Sequence, residues 1–385
     1  MTTYKNLQFF DGVNDLFQSG DIQVSGGVFD SVSEGEEKDC SGLFAIPGLI
    51  DAHVHLCLNS EIRDPNDQTK ASNEQILDEI RERTARMVRA GITTARDLGG
   101  GAYLELQVRD EIALGKTPGP RLLCSGQPIT SVNGHCHFWG GEAKDTEAAL
   151  SVLERQHQHD VDLIKVMITG GNITPGSTPK DSQFDDETIC TVVKRARELD
   201  YHVAAHCHGT DGIRQAAKAG VTTVEHCSWV GEEGWGRSYD PEIALAMAQQ
   251  GVWVSPTINS GWQRFKQPAF VNMVQGNYKK MKAAGVRLIA STDAGIPNVR
   301  HDDLPKALPV FAHFAGMNGF EAIRSATADC AEAIGLGDSV GRIAPGYSAD
   351  FVLYESNPAD DLKVLQNPVK IVARGVEFNP QGNAD

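Results

Sequence analysis

Apolar runs of strand length alternate with amphipathic stretches through the middle of the chain. The apolar runs lie at 43–56, 92–98, 121–126, 162–169, 202–209, 222–228, 252–257 and 287–295. Segments with helical spacing lie between or after them, among them 73–90, 186–200, 241–250, 270–285 and 320–335. Near-continuous apolar strands are typical of parallel sheets whose two faces are covered by helices. Eight such strands, each followed by a helix, predict an α/β fold with a (β/α)8 TIM-type barrel over residues 49–339.

The two ends of the chain have a different pattern. Residues 1–48 and 340–385 are β-like and rich in glycine, and they alternate apolar and polar positions. Such alternation is typical of strands with one buried face. We therefore expect a small β-sandwich domain formed by both termini, with the barrel inserted between them. The alternative is that the ends are two unrelated tails.

Composition and charge narrow the range of partners. The 385 residues carry a formal net charge of −16, with 41% hydrophobic and 22% charged residues. This mix is that of a folded globular protein. The acidic surplus opposes binding to nucleic-acid backbones and to anionic membrane surfaces. We therefore expect a small-molecule substrate, no nucleic-acid partner and no membrane partner.

Targeting and cysteine patterns indicate a cytoplasmic protein. No apolar run approaches the ~20 residues of a spanning helix. The N-terminal segment MTTYKNLQFFDG lacks the basic start and apolar run of a signal peptide. The eight cysteines include no CxxC pair, and this scatter indicates reduced thiols rather than a disulfide framework.

Histidines and one aspartate come at the ends of several predicted strands. His53 and His55 close the first strand, His206 ends the fifth, His226 the sixth and Asp293 the eighth. Residues i and i+2 of a strand face the same side, and the carboxyl ends of barrel strands converge on one face. A single strand histidine is usually a hydrogen-bonded core residue. Five imidazole and carboxylate groups at one rim instead indicate a site for zinc or a similar divalent ion.

Lys165 lies inside the apolar strand segment DLIKVMIT, where an unpaired ammonium group is costly to bury. One interpretation is a lysine that extends to the barrel end or pairs with Asp162. The functional interpretation is a carbamate, formed from the amine and CO2, whose two oxygens bridge two metal ions. The spacing alone does not decide between these interpretations.

Several motifs together resemble the amidohydrolase superfamily, in particular its imidazolonepropionase-related and Xaa-Pro dipeptidase-like branch. In chain order they are AIPGLIDAHVHL, GITTARDLGG, LIKVMITGG, HVAAHCHG, TTVEHCS and ASTDAGIP. The closing segment APGYSADFVLYESNP resembles that family's return into its β-domain. The resemblance covers nearly the whole chain, and it implies a metal-dependent hydrolase that is often a homo-oligomer.

The resemblance also implies a site with two divalent metal ions, usually zinc. The implied metal ligands are His53, His55, Lys165, His206, His226 and Asp293. His53 and His55 would hold one ion, His206 and His226 the other, and carbamylated Lys165 would bridge the two. Asp293 would bind the ion of His53 and His55 and act catalytically, moving a proton from the attacking water to the leaving nitrogen.

Three further residues are candidates for substrate binding. The resemblance suggests that His135 lines the pocket, and His137 lies beside it in VNGHCHFWGG. Arg300 follows Asp293 in a loop and is a candidate partner for an anionic substrate group. The alternatives are a ligand-orienting role for the histidines and a solvated loop for the arginine.

The predicted reaction is hydrolysis of an amide-type C–N bond, in a dipeptide or an N-acyl amino acid. The alternative is a cyclic amide, a carbamate or a urea-like small molecule, since the same machinery serves all of them. A deaminase and a non-catalytic scaffold are the remaining alternatives. Some dipeptidase-like relatives place a tyrosine in the region of 171–188, and this chain has none between Tyr103 and Tyr201. The substrate and any gating by this loop therefore stay open.

Overall fold

The computed structural model describes residues 1–30, 35–68 and 70–381. Its strands are β1 Thr2–Phe9, β2 Gln18–Ser25, β3 Val28–Phe29, β4 Glu36–Asp39, β5 Phe44–Pro47, β6 Leu49–Val54, β7 Ile92–Asp97, β8 Arg121–Cys124, β9 Thr130–Ser131, β10 Glu142–Ala143, β11 Ile164–Met167, β12 Val203–Gly209, β13 Thr223–Val230, β14 Trp253–Ser255, β15 Arg287–Leu288, β16 Phe351–Tyr354, β17 Lys370–Ala373 and β18 Val376–Phe378.

The helices alternate with the strands through the middle of the chain. They are α1 Pro65–Gln68, α2 Asn73–Arg89, α3 Leu104–Ala113, α4 Thr146–Gln158, α5 Asp186–Glu198, α6 Thr210–Ala219, α7 Pro241–Gln249, α8 Pro268–Ala283, α9 Leu304–Ala315, α10 Gly319–Ser325 and α11 Ala328–Ala333. Among the described residues, none of these helices has the length and apolar character needed to cross a membrane.

The central strands have a TIM-type α/β arrangement. Strands β6, β7 and β8 form a parallel sheet of three, and β11 to β15 form a parallel sheet of five. The hydrogen-bonded ladder is therefore not one continuous closed sheet. Isolated parallel bridges, Val54 with Ala294 and Ile129 with Val166, connect the two sheets on either side. All six residues of β6 and of β7 are buried, as expected for strands covered by helices.

One predicted helix is divided in the structure. The segment 320–335 forms α10 and α11, with a break at Ala326 and Thr327. The hydroxyl of Ser325 donates to the carbonyl of Ala322, and the hydroxyl of Thr327 donates to that of Ile323. Such side-chain bonds to the preceding turn compete with the helical ladder, so the apolar spacing continues although the helix does not.

Strands from both ends of the chain pair in one sheet. Its order is β18-β17-β16-β5-β1-β2-β3, with β4 also paired to β1. A separate apolar core forms beneath it, in which the rings of Tyr4 and Phe351 meet edge to face at 5.0 Å. The hydrogen bonding gives one sheet rather than two stacked sheets, so a two-layered sandwich is not confirmed. The domain boundaries at 1–48 and 340–385 also stay a prediction.

Candidate metal centre

The six sequence-predicted metal ligands lie at the carboxyl ends of the central strands. They line a cavity of about 530 Å³. His53 is in β6, Lys165 in β11, His206 in β12 and His226 in β13. His55 and Asp293 follow β6 and β15. Because the carboxyl ends of parallel barrel strands share one face, side chains far apart in the sequence meet there.

The backbone bends sharply at three of these strand ends. His226, Thr257 and Asp293 have φ angles of 68°, 55° and 60°. Non-glycine residues seldom adopt this left-handed conformation, and where they do the surrounding structure must hold it. The clustering of three such residues around one cavity is typical of a functional site. The bends turn the side chains of His226 and Asp293 towards the cavity.

Asp293, His53 and His55 form the first half of the cluster. Oδ1 of Asp293 lies 3.2 Å from Nε2 of His53 and 3.4 Å from Nε2 of His55. The two Nε2 atoms are 3.2 Å apart. Three potential ligand atoms therefore converge on one small volume.

His206, His208 and His226 form the second half. Nδ1 of His206 lies 2.9 Å from Nε2 of His226. The rings of His208 and His226 stack at 4.4 Å between centroids. Ligand atoms of these three residues lie within 4.8 Å of one another, as do those of His53, His226 and Asp293. His226 therefore belongs to both groups, and His208 adds a donor that was not among the predicted ligands.

Each of the four predicted histidine ligands has an outward hydrogen bond, and for His53, His55 and His206 the partner is a carboxylate or carbonyl that can only accept, so it sets the tautomer. Nδ1 of His53 is 2.9 Å from Glu225 Oε2, and Nδ1 of His55 is 3.2 Å from the Gly99 carbonyl. Nε2 of His206 is 3.1 Å from the Gly170 carbonyl. Nδ1 of His226 is 2.8 Å from the Thr257 hydroxyl. A ring nitrogen that donates outward leaves the other nitrogen with its lone pair inward. This is the arrangement of metal-binding histidines.

Glu225, which contacts the candidate ligand His53, is a candidate site residue that sequence reasoning missed. It is fully buried next to His226, and besides His53 it accepts hydrogen bonds from Arg96 at 2.8 Å and from Thr223 at 2.5 Å. Arg96 in turn donates to the Ala52 carbonyl at 2.7 Å. The sequence contained a signal for Glu225, because an acidic residue inside the apolar segment TTVEHCS needs a charged or hydrogen-bonding partner when it is buried, as Lys165 does.

Lys165 has no hydrogen-bond partner at Nζ although its side chain is only 1% exposed. Asp162, its candidate partner from the sequence, instead pairs with Arg109 at 2.9 Å. Burial lowers the pKa of the Lys165 amine, against the attraction of Glu225 and Asp293. A buried nitrogen left unpaired among ligand groups is costly, so the position fits a modified or ligand-bound lysine.

The charges at the site follow from burial and from neighbouring groups. Burial alone would raise the pKa of Asp293, but His53 and His55 outweigh it and hold that pKa below its usual range. Burial and the nearby Lys165 lower the pKa of His53 to about 4. Burial lowers the pKa of His208 to about 3. At neutral pH the site therefore offers the Asp293 carboxylate and the uncharged rings of His53 and His208, a donor set that suits zinc and similar divalent ions.

His135 lines the cavity with its ring 4.5 Å from that of His206. Nδ1 of His135 lies 3.1 Å from the Thr174 hydroxyl, which itself accepts the Cys136 amide proton at 2.9 Å. The hydroxyl proton of Thr174 is therefore free to point at Nδ1, and in that arrangement the ring proton of His135 is on Nε2. Gly171 is required beside this ring, since an added Cβ would come within 2.4 Å of it.

The other two predicted substrate contacts lie elsewhere. His137 begins a short 3-10 helix, is half-buried and is not among the residues that line the cavity. Arg300 borders a separate cleft and pairs with Asp302 at 3.0 Å. The arginine that lines the cavity is Arg264. The loop after Asp293 lines the cavity with Ile296, Pro297 and Val299, but Arg300 at its end lies outside, and the sequence contains no signal for that change.

The cysteines next to site histidines face away from the cavity in two of three cases. Cys207 and Cys227 belong to the apolar core between strands and helices, as alternation along a strand predicts. Cys136 lines the cavity, and burial raises the pKa of its thiol above the usual range. All eight cysteines are free. Burial likewise raises the pKa of Cys207 and Cys227, so these three thiols lack the lowered pKa of a cysteine nucleophile.

A TIM-type fold with histidine, aspartate and lysine at its carboxyl face defines the class of a candidate metal-dependent hydrolase. The pattern of the amidohydrolase family matches residues 44–377. The chain belongs to this family, which is typically metal-dependent, and is a C–N hydrolase. The resemblance predicted from the motifs is thereby confirmed.

Individual relatives agree with this assignment. The ochratoxinase of Aspergillus niger is 27% identical over 370 residues, covering 84% of this chain and 72% of that enzyme. A probable imidazolonepropionase of Homo sapiens is 24% identical, covering 87% and 79%. The crystal structure of a Xaa-Pro dipeptidase with methionine bound in its active site matches with a TM-score of 0.87 at 25% identity, covering 98% of this chain and 99% of that one.

Proposed function

We propose that this chain hydrolyses the amide bond of a dipeptide or an N-acyl amino acid at a site with two divalent metal ions, most readily zinc. The observation that carries the proposal is the buried, unpartnered amine of Lys165 among histidines whose lone pairs point inward. His53, His55 and Asp293 would hold one ion, and His206 and His226 the other. The similarity of this chain to an ochratoxinase and to a Xaa-Pro dipeptidase supports such a substrate.

Lys165 would link the two halves as a carbamate. Its neutral amine forms a bond to the carbon of CO2, and loss of one proton from the nitrogen leaves a carbamate anion with two oxygens. Because burial lowers the pKa of the amine, the nucleophilic neutral form is easier to reach than for an exposed lysine. The modification also replaces an unsatisfied cation with an anion that suits neighbouring metal ions.

A bound pair of such ions would lower the pKa of a water molecule and polarise the substrate carbonyl. Asp293 is the carboxylate that lines the cavity, and its lowered pKa keeps it ionised at neutral pH. Its oxygen can accept the proton of the attacking water and then deliver it to the nitrogen as the C–N bond breaks. His135, with its proton on Nε2, is placed to donate a hydrogen bond to the carbonyl oxygen as negative charge develops there.

The test combines metal analysis with a substrate library. Protein prepared with zinc and bicarbonate should contain two ions per chain and hydrolyse members of a library of dipeptides and N-acyl amino acids. Lys165→Ala should lose at least one ion and its activity by orders of magnitude. Lys194→Ala, at an exposed position of α5, is the matched control. Retention of both ions and full activity in Lys165→Ala would overturn the carbamate, and activity confined to ring compounds would overturn the choice of substrate.

Two further expectations belong to this proposal. We expect a homo-oligomer, which sedimentation of the zinc-loaded protein tests. We also expect a cytoplasmic enzyme, in agreement with its free cysteines, and cell fractionation tests this.

A further inference from the structure

His55, a candidate ligand in the first half of the metal centre, is held by its backbone as well as by its ring. Its amide donates to the Ala294 carbonyl at 2.7 Å. Its carbonyl oxygen lies 3.0 Å from Nε2 of His301. Because a carbonyl oxygen only accepts hydrogen bonds, the ring proton of His301 is on Nε2. Both polar groups of the His55 backbone are therefore bonded to the loop between β15 and α9, which also carries Asp293.

The same loop is also bonded to β6 where it begins. The Asp293 amide donates to the His53 carbonyl at 2.9 Å. At Gly295 the loop passes so close that an added Cβ would lie 2.5 Å from the His55 carbonyl oxygen, and the φ of 107° at this position favours glycine. Hydrogen bonds at both ends of the loop therefore fix Asp293 relative to two of the candidate histidine ligands.

Arg83 of α2 binds the next peptide group along the chain. Its Nη1 donates to the Leu56 carbonyl at 2.6 Å, and the same guanidinium pairs with Glu79 one turn earlier in the helix. Arg83 is 4% exposed and His301 is 1% exposed. Two buried side chains from separate segments thus donate to two consecutive carbonyls. A buried carbonyl that loses its donor is costly, so both contacts constrain the backbone at His55.

His301 and Arg83 lie outside the cavity that holds the candidate ligands. Both border a separate cleft of about 220 Å³, and neither is among the residues that line the cavity. Any effect of His301 on the site must therefore pass through the residues it holds. Oδ1 of Asp293 lies 3.4 Å from Nε2 of His55, and a shift of the loop relative to the end of β6 changes this distance directly.

We propose that His301 is a positioning residue that holds His55 and Asp293 at the separation needed to bind one ion, and that Arg83 supports the adjacent peptide group. Hydrogen bonds to the side chains of metal ligands are the usual means of orienting them. The His301 bond acts instead on a ligand's backbone, and it joins two ligands at once. This inference rests on the proposed metal-dependent hydrolysis and identifies a residue outside the cavity that sets the geometry of its first ion.

Removal and restoration of the donor provide the first test. His301→Leu cannot donate to the His55 carbonyl, whereas His301→Gln keeps a side-chain N–H at a similar distance from the backbone. Competition with a chelator measures the two zinc-binding steps separately. We expect His301→Leu to weaken one step by about 10- to 100-fold, the range for residues that orient ligands, and to leave the other within about threefold. His301→Gln should restore most of the lost affinity.

A matched control separates positioning from a general loss of stability. His202 directly precedes β12, at the opposite end of that strand from the site, and its ring lies beside Gly335. His202→Leu should lower Tm without changing either zinc-binding step. If His301→Leu does not fold, Arg83→Met removes the bond to Leu56 and should weaken the same step by about threefold to 10-fold. Equal effects on both steps, or an Arg83→Met protein with unchanged affinities, would overturn the proposal.

Histidine side-chain NMR of the metal-free protein separates this inference from the proposed reaction. His301→Leu should shift the signals of His53 and His55 and leave that of His206 in place, because the lost bond acts on the first half. That result without hydrolysis by zinc-loaded unmodified protein would refute the reaction and keep the positioning. Hydrolysis by the unmodified protein, with unchanged His55 signals and unchanged zinc affinities in His301→Leu, would keep the reaction and refute the positioning.

Discussion

The two halves of the candidate metal centre are built from the same side chains but are braced differently. In the first half, Nδ1 of His53 bonds to the carboxylate of Glu225, which forms a buried ion pair with Arg96. In the second half, His206 and His226 bond to a backbone carbonyl and to the hydroxyl of Thr257. The first half therefore has a charged partner behind one of its histidines, His53, whereas the histidines of the second half have neutral partners.

This difference indicates unequal affinity for the two ions. Burial alone would raise the pKa of Glu225, but Arg96 and His53 outweigh it and hold that pKa below its usual range. An ionised carboxylate behind an imidazole makes the ring a stronger electron donor to a metal ion. We therefore expect the ion at His53 and His55 to be bound more tightly than the ion at His206 and His226.

The largest effect is expected when the first half loses the carboxylate that faces the cavity. Asp293→Asn keeps the size of the side chain but removes its ability to accept a proton. We expect kcat to fall by about 10²- to 10⁴-fold, the usual contribution of a positioned general base. Circular dichroism and metal analysis should show a folded protein that still binds metal. Near-normal turnover of Asp293→Asn would exclude the assigned proton transfer.

A comparison of Glu225→Gln with Thr257→Val tests whether the charged partner of His53 contributes more to metal affinity than the neutral partner of His226. Loss of the charged partner should weaken metal binding by about 10- to 100-fold, the range for residues that orient ligands. Loss of the neutral hydroxyl should cost less, so the ratio between the two variants measures the asymmetry. Metal affinities from competition with a chelator, measured on both variants under the same conditions, provide this ratio.

Glu225→Gln leaves Arg96 buried without its ion-pair partner, which is itself destabilising. The double variant Arg96→Met with Glu225→Gln removes that charge and serves as the control for folding. If the double variant is stable and binds metal as tightly as the unmodified protein, Glu225 has no role in setting affinity.

The fold was predictable because buried parallel strands leave a strong pattern. The prediction at 73–90 agrees with α2 at Asn73–Arg89, and that at 202–209 with β12 at Val203–Gly209. The last barrel strand was predicted less well. The apolar pattern indicated a strand over 287–295, whereas β15 covers Arg287–Leu288. The residues after Leu288 leave the ladder so that the backbone can turn at Asp293, a requirement of the site that the apolar pattern does not record.

Whether a site residue could be predicted from the sequence depended on whether it lies at the end of a strand or in a loop. Strand-end histidines were accessible to sequence reasoning because strand geometry fixes where their side chains point. Arg300 was the predicted substrate contact because it follows Asp293 in sequence. The course of a loop depends on long-range contacts such as the packing of Trp262 on Phe314. Proximity in sequence does not reveal such contacts.

The pH dependence of the metal-free protein sharpens the comparison between the halves. The pKa of His53 is about 4 and that of His208 about 3, both below the ordinary 6.5, because burial disfavours the charged ring. Asp293 and Glu225 offset part of this for His53. We therefore expect His53 to take up a proton at higher pH than His208, which histidine side-chain NMR resolves.

The same pKa values fix the direction of the stability change. The unfolded chain binds protons near pH 6.5, whereas the folded chain resists them down to about pH 3–4. The unfolded state therefore holds more protons on these histidines in this interval, and their contribution to the free energy of unfolding should decrease as the pH falls from 6.5 towards 4. Asp51 and Glu105, whose pKa burial raises to about 7, act in the opposite direction over the same interval. Urea unfolding of the unmodified protein and of His208→Gln at pH 7.5, 6 and 5 separates the two effects, because the variant lacks the His208 contribution. An identical pH dependence of the free energy of unfolding in both proteins would contradict the assignment of a neutral, buried His208.

The smallest effect is expected from Ser228→Ala in the neutral half. The Ser228 hydroxyl lies 2.9 Å from Nδ1 of His208 and orients a ring that meets Trp235 edge to face at 4.8 Å. A neutral hydrogen bond of this kind contributes on the order of 1 kcal/mol, or about fivefold. We expect KM to rise by about that factor while kcat and metal content stay the same, because His208 is expected to line the cavity rather than to hold an ion. If Ser228→Ala weakened metal binding as much as Glu225→Gln, His208 would be a ligand. The second half would then hold its ion with three histidines, and the expected order of the two affinities would be reversed.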